Sequence, residues 1–182
     1  MHFSGLLLAL ATTASAVDMR AWIGSSCEGA FVACVGLNPN VCCVFSNSAD
    51  SGRASISVNA IPSSWNIHTQ ANTGGGCTYG ANQQDSNGRT DLCMAYNSRG
   101  DRTGGSYWFN SRKRAADKSC PAEQAEGKCE ATVEPNALGL ADGTMYNIAG
   151  LSEEKVQELE KIAVAGASAD AVPAEFKLLS EA

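Results

Sequence analysis

Polar and apolar residues alternate along Arg53-Ala54-Ser55-Ile56-Ser57-Val58-Asn59-Ala60 with a period of two, the pattern of a strand with one face buried. Trp65, Ile67 and Thr69 continue a similar alternation after the turn Pro62-Ser63-Ser64. Phe31 to Val35, Val41 to Phe45, Asp91 to Tyr96 and Ser106 to Asn110 are further strand candidates. Turn formers separate them at Asn38-Pro39-Asn40, Asp50-Ser51-Gly52, Gly74-Gly75-Gly76, Asn87-Gly88 and Gly104-Gly105. No helical period competes over this stretch. Short strands at such regular spacing predict a mainly β fold, an antiparallel sandwich or barrel.

The pattern changes further on. Leu138 to Ile148 predicts a hairpin around Asp142-Gly143, a favoured two-residue turn. In the simplest pairing Leu138 and Leu140 do not share a face with Tyr146 and Ile148, so the register stays open. A helix is predicted next: Ser152 as N-cap, Glu153 and Glu154 at the positive end of the dipole, and Gly166 as stop. Val156, Leu159, Ile162 and Ala163 form its apolar stripe, expected to pack on the hairpin. A second helical turn is expected near Pro173, with Phe176 and Leu179 on its buried side. This part reads as a small α+β module with a small core.

Charge and cysteine usage divide the chain at the same place. Val17 to Arg114 carries eight Lys+Arg against six Asp+Glu, and Ala115 to Ala182 five against thirteen, so the two parts are +2 and −8. Cys27, Cys34, Cys42, Cys43, Cys77 and Cys93 precede the boundary; Cys120 and Cys129 follow it, so each part has an even number. Eight cysteines in so small a chain predict disulfides, with connectivity open. Neighbouring strand residues face opposite ways, so Cys42 and Cys43 are expected to bond different partners. At the amino terminus Phe3 to Leu10 is a short apolar run followed by Ala14-Ser15-Ala16, which reads as a secretory signal over 1–16 cut after Ala16. That run is well below the roughly 20 residues that span a bilayer, and no later stretch is longer, so no transmembrane segment is expected. The expected product is secreted and extracellular. The net acidity of −6 argues against nucleic acid as a partner.

The boundary itself is Arg112-Lys113-Arg114. It resembles the dibasic sites cut by kexin-type proteases in the fungal secretory pathway, with cleavage implied after Arg114 through Lys113-Arg114. The expected organisation is a signal over 1–16, a cysteine-rich β-sandwich over 17–111, a basic linker over 112–119 and an acidic hairpin-plus-helix module over 120–182. The layout resembles fungal small secreted cysteine-rich, effector-like proteins. Trp22 and Gly29, seven apart, followed by Ser55 in a strand, resemble the Greek-key motif of βγ-crystallin-type domains. The resemblance implies a folded hairpin permitted by Gly29, packed by Trp22 and tied down by the Ser55 or Ser57 hydroxyl. A second copy would start near Trp65 or Ile67 and use Gly74. The calcium signature of that family needs adjacent Asp/Asn residues, which this chain lacks, so no metal is expected.

Candidate chemistry is sparse. His68 is the one histidine after the signal, which leaves no multi-histidine metal site and no Gly-x-Ser-x-Gly elbow to pair with it. Glu28, Asp85 and Asp91 are the carboxylates that a hydrolase would have to use in the first module. No cofactor is expected, and a non-enzymatic role is the favoured expectation. The candidate binding residues are Trp108 and Arg112: Tyr107, Trp108 and Phe109 cannot all face inward on one strand, so Trp108 is expected outward while Trp65 and Phe109 pack in the core. Arg99-Gly100-Asp101 matches a short adhesion tripeptide and carries no weight. The expected target is extracellular or on a host, a polysaccharide or a protein. The functions that follow are a secreted non-enzymatic effector, toxin or binding protein, with an uncut extracellular or wall-associated structural protein as the alternative, and a carboxylate hydrolase behind both.

Overall fold

The computed structural model describes residues 17–96, 100–110 and 131–179. Ala16, Arg112, Lys113, Arg114, Cys120 and Cys129 lie outside the described residues. Eleven strands make two sheets packed face to face. The first eight are β1 (Val17–Trp22), β2 (Phe31–Leu37), β3 (Val41–Val44), β4 (Ser55–Asn59), β5 (Ile67–Thr73), β6 (Tyr79–Asp85), β7 (Leu92–Met94) and β8 (Gly104–Phe109). After the break come β9 (Ala131–Val133), β10 (Ala137–Gly139), β11 (Met145–Asn147) and helix α1 (Glu153–Val164). Sheet A has the order β11-β10-β2-β1-β4-β7 and sheet B the order β6-β5-β8-β3-β9. All pairs are antiparallel except β3 with β9.

The first eight strands repeat one plan twice. In each set of four, the fourth strand returns beside the first, which keeps the second on its other side: β2-β1-β4 in sheet A and β6-β5-β8 in sheet B. The third strand of each set leaves its own sheet and joins the other, so β3 pairs with β8 and β7 with β4. Each sheet is therefore completed by the other half of the chain. Inward positions follow the period of two: Val17, Met19 and Ala21 from β1, Ile56 and Val58 from β4, Ile67 and Ala71 from β5, and Tyr107 from β8 are all fully buried. Gly105 lies directly against the Met19 thioether, where a side chain would collide. The Cys34–Cys43 disulfide links β2 of one sheet to β3 of the other through this core.

The described residues after the basic cluster build into the same sheets and core. β10 extends sheet A along β2 (Leu138↔Val32), β9 extends sheet B along β3 (Cys42↔Thr132), and the Asn136 amide bonds both N and O of Val35, at 2.8 and 3.0 Å. Leu138, Leu140, Tyr146, Ile148, Leu159, Ala163 and Phe176 join the same buried cluster as Met19 and Ile56. So the sheets and the core cross the boundary drawn at 112–119 from composition.

The hairpin register also settles. Leu138 pairs with Tyr146, and Leu140 N–H donates to Thr144 O at 2.9 Å, which leaves a three-residue loop, Ala141 to Gly143, in place of the expected two-residue turn. Gly143, at φ +89°, closes it in the left-handed region. One extra loop residue shifts the pairing by one, and Leu138, Leu140, Tyr146 and Ile148 all become buried. Helix α1 is capped by Ser152, whose Oγ accepts from Lys155 N, and buries Leu159 and Ala163. A short 3-10 turn at Ala169–Ala171 precedes the turn expected near Pro173, where Phe176 N–H donates to Pro173 O at 3.1 Å and Phe176 is buried. Leu179 N–H donates to Met145 O and Asn147 N–H to Lys177 O, so this tail covers the free edge of β11.

Candidate binding face

Two tight hairpins fold back over the outer faces of the sheets, and a hydroxyl holds each. In the β1–β2 connection, Ser55 Oγ accepts from Cys27 N at 2.9 Å and donates to Gly24 O at 2.6 Å. In the β5–β6 connection, Thr103 Oγ1 accepts from Gly75 N at 3.1 Å and donates to Gly76 O at 2.8 Å. Both hydroxyl residues are fully buried. Gly29 has φ +82° and would press a Cβ into Ile23; Gly74 has φ +85° and sits against the Tyr79 ring. Trp22 packs on Phe31, its ladder partner, with ring centroids 4.3 Å apart, and donates from Nε1 to Ser57 Oγ at 2.8 Å. The motif marks Trp22, Gly29, Ser55 and Gly74 but not Thr103, because its tying residue is a serine.

A disulfide fastens each hairpin to the strand that the other half of the chain contributes. Cys27 bonds Cys93 on β7, and Cys77 bonds Cys42 on β3. Cys42 and Cys43 thus point to opposite sides of one strand and bond different partners, Cys77 outside and Cys34 inside. The hairpin over sheet B carries Cys77 across β8, where Gly104 leaves it room.

Beside that hairpin the outer face of sheet B reaches the surface at Trp108, His68, Asp85 and Gln83, while Gln70 and Ser106 on the same face are buried. Trp108, His68 and Asp85 lie in one row across β8, β5 and β6, and Ser106, Gln70 and Gln83 in the next. Trp108 faces outward and is half-buried, with its ring centroid 4.6 Å from that of His68. Asp85 Oδ1 lies 2.6 Å from His68 Nδ1 and accepts from Asn110 Nδ2 at 2.9 Å. His68 Nε2 lies 3.3 Å from Gln83 Oε1, and Gln83 Nε2 donates to Gln70 Oε1 at 2.6 Å. Both ring nitrogens of His68 are thus engaged by neighbouring side chains, which fixes the plane of the ring. The result is a continuous chain of side chains, Asn110-Asp85-His68-Gln83-Gln70, with an indole at its side.

The remaining candidates scatter. Asp91 is at the edge of sheet A, bonded by Asn59 Nδ2 at 2.9 Å and by Thr90, and these hydrogen bonds hold its carboxyl below the usual range. Glu28 lies in the β1–β2 hairpin and Asp85 on sheet B. Phe109, expected in the core, is 41% exposed because the end of β8 runs past the sandwich; it meets the half-buried Trp65 edge-on at 4.8 Å. Arg53, a buried cation that the sequence gave no reason to single out, pairs with Glu160 of α1. Burial pulls its pKa down and Glu160 works against that. This pair stands at one end of a cleft of about 790 Å³ between the β3–β4 loop and the C-terminal elements, with Glu134, Asn136 and Glu153 on its walls. Among the described residues no group of three His, Cys, Asp or Glu stands where it could hold a metal ion.

The sequence model of the ARB_05566_N family, an N-terminal domain, matches residues 18–136, a stretch that runs through the basic cluster and takes in β9. The chain is 25% identical over 171 residues to a fungal protein of Arthroderma benhamiae named "Uncharacterized secreted protein", covering 93% of this chain and 87% of that one. No solved structure matches. Among the described residues no helix is long and apolar enough to cross a membrane. The protein is secreted, a mainly β, disulfide-bonded chain, and it belongs to the ARB_05566_N family.

Proposed function

We propose that the protein is a secreted, non-enzymatic binding protein of the effector or toxin kind, and that it meets its extracellular target with the outer face of sheet B. The observation that carries this reading is the Trp108–His68–Asp85 row with Gln83 and Gln70 beside it. It offers an aromatic ring and several polar groups on one rigid surface, stapled at its margin by Cys42–Cys77. Partly exposed aromatics ringed by hydrogen-bonding groups are where binding energy concentrates. A non-enzymatic role is supported by the carboxylates: Asp85, Asp91 and Glu28 sit on different elements, and Asp85 and Asp91 are each engaged with different neighbours. For the eight-stranded unit we further propose a βγ-crystallin-type Greek-key domain. Support comes from the Trp22, Gly29 and Ser55 cluster and its echo at Ile67, Gly74 and Thr103.

One part of the structural-protein alternative is favoured by a specific observation. Three strands beyond the basic cluster pair into the two sheets, so residues 131–179 act as a permanent part of the binding protein rather than a discarded pro-region. The test is binding of the secreted protein to wall and extracellular-matrix preparations, wild type against Trp108→Ala. A loss of about tenfold or more is expected, the scale of one well-placed anchor. Equal binding by both proteins, or none by either, would sink the reading.

A further inference from the structure

The same face has a chemistry that narrows its ligand, and the inference rests on the binding reading above. We infer that the outer face of sheet B binds a neutral polysaccharide, with one sugar ring stacked on Trp108 and its hydroxyls bonded by Asp85, Gln83 and Asn110. A pyranose ring has two apolar faces of C–H groups and an equator of hydroxyls that both donate and accept. The face supplies the complement of each.

The indole of Trp108 is the apolar platform, and its outward orientation is set by Tyr107, which fills the core from the neighbouring position. The His68 ring packs against it at 4.6 Å and a 40° tilt, which holds the indole in place. Along the other side runs the hydrogen-bonded chain. A carboxylate accepts from adjacent hydroxyls, while the amides of Gln83 and Asn110 both donate and accept, which suits groups that do the same. Because Asp85 is already fixed at 2.6 Å to His68 and 2.9 Å to Asn110, these side chains arrive ordered, and little rotamer freedom is left to lose on binding.

Charge separates this ligand from others. The Asp85 carboxylate is hydrogen-bonded to the His68 ring, and Gln70, Ser106, Gln83 and Asn110 carry no charge. Arg89 beside this surface donates to the Asp85 and Ser86 carbonyls at 2.8 and 3.2 Å, so an acidic glycan would be set against the Asp85 carboxylate. A protein partner would call for a larger apolar centre than one half-buried indole provides.

The experiment is calorimetric titration of the whole secreted protein with cellohexaose, laminarihexaose, mannohexaose and chitohexaose, and with hexagalacturonate as the acidic counterpart. At least one neutral hexaose is expected to bind with a dissociation constant of roughly 10⁻⁵ to 10⁻³ M. Trp108→Ala should weaken it about tenfold or more, and Gln83→Ala roughly three- to tenfold. Gln83 is exposed, so its substitution leaves folding intact even if Trp108→Ala does not. No binding of any neutral hexaose, binding of hexagalacturonate alone, or binding indifferent to both substitutions would overturn the inference. Attachment to wall preparations that needs Trp108 but survives periodate oxidation and is lost on protease treatment would overturn the glycan while leaving the binding face in place.

Discussion

Replacing Ser55 by alanine tests whether one buried hydroxyl holds the β1–β2 hairpin in its folded form. The Oγ satisfies two backbone groups, accepting from Cys27 N at 2.9 Å and donating to Gly24 O at 2.6 Å, and Ser55 itself is fully buried. Alanine removes both bonds and leaves a donor and an acceptor that water cannot reach unless the hairpin opens. Each lost bond, with the group it strands, costs about 1–1.5 kcal/mol, so a loss of about 2–3 kcal/mol is expected. Thr103→Val should cost about the same, since the threonine does the same work on the second hairpin at 3.1 and 2.8 Å and valine keeps its shape.

The assay is urea unfolding with disulfides intact, where the midpoint should fall with the slope unchanged, and the melting temperature should drop by roughly 5–10 °C. Ser48→Ala, which removes hydrogen bonds of an exposed loop, should stay within about 0.5 kcal/mol of wild type. The two buried sites lie on opposite faces of the sandwich, so the double variant should be additive to within about 0.5 kcal/mol. A loss below about 0.5 kcal/mol for both single variants would refute the claim that these hydroxyls tie the hairpins.

Three further outcomes follow from the packing. The Cys27–Cys93 bridge spans 66 residues and Cys34–Cys43 only 9. Serine replacement of the first pair should therefore cost about 4 kcal/mol and of the second about 3, measured as unfolding midpoints. Glu160→Ala leaves the Arg53 guanidinium buried without its partner; because the Glu160 side chain is 38% exposed, the expected loss is about 1–2 kcal/mol, below that of a fully buried pair. Hydrogen exchange in α1 should quicken, and Arg53→Met in the same chain should restore part of the stability. Burial pushes the Tyr107 phenol upward. Its folded-state pKa exceeds the unfolded value of about 10, so the stability it contributes is whole below that pH and is lost as pH rises beyond it. Tyr107→Phe should flatten the alkaline limb of the stability profile, while costing about 1 kcal/mol at neutral pH for the bond to Leu37 O.

Much of this fold is written locally. Period-two alternation marks β4 and β5, the Ser152 cap and apolar stripe mark α1, and the crowding of three aromatics in β8 already turns Trp108 outward. What is missing from the sequence is pairing. β6, Tyr-Gly-Ala-Asn-Gln-Gln-Asp, has no apolar alternation because it is an edge strand with little to bury, and β9 is three exposed residues held by a neighbour. His68 and Asp85 are 17 residues apart and meet only because β5 and β6 form a ladder. Thr103 matches Ser55 in hydrogen-bonding capacity but not in residue type, so a search for the serine alone passes over it. The exchange of β3 and β7 between sheets has no local signal at all, since either strand could lie beside its own neighbours with the same faces buried.

That exchange and the strands after the basic cluster bear on what a cut after Arg114 could accomplish. The three described disulfides join cysteines that all precede the cut, so no described bridge would hold the second piece. Its attachment would rest on β9 along β3, β10 along β2, the Asn136 bonds to Val35, the Arg53–Glu160 pair, and the burial of Leu138, Leu140, Leu159 and Phe176 in the common core. Cutting turns that attachment from intramolecular to bimolecular. With an effective concentration near millimolar in the uncut chain and micromolar protein outside the cell, the change costs about 4 kcal/mol. Leu138, Leu140, Ile148, Leu159 and Phe176, all buried, contribute about 1.5–3 kcal/mol each before ordering costs, which together is more than that. On that balance a chain cut there would hold its described C-terminal strands as an interlocked fragment. Among the described residues the composition shift marks a change of surface, since Glu134, Asp142, Glu153, Glu154, Asp170 and Glu175 are exposed while the apolar side chains complete the core shared with Met19 and Ile56.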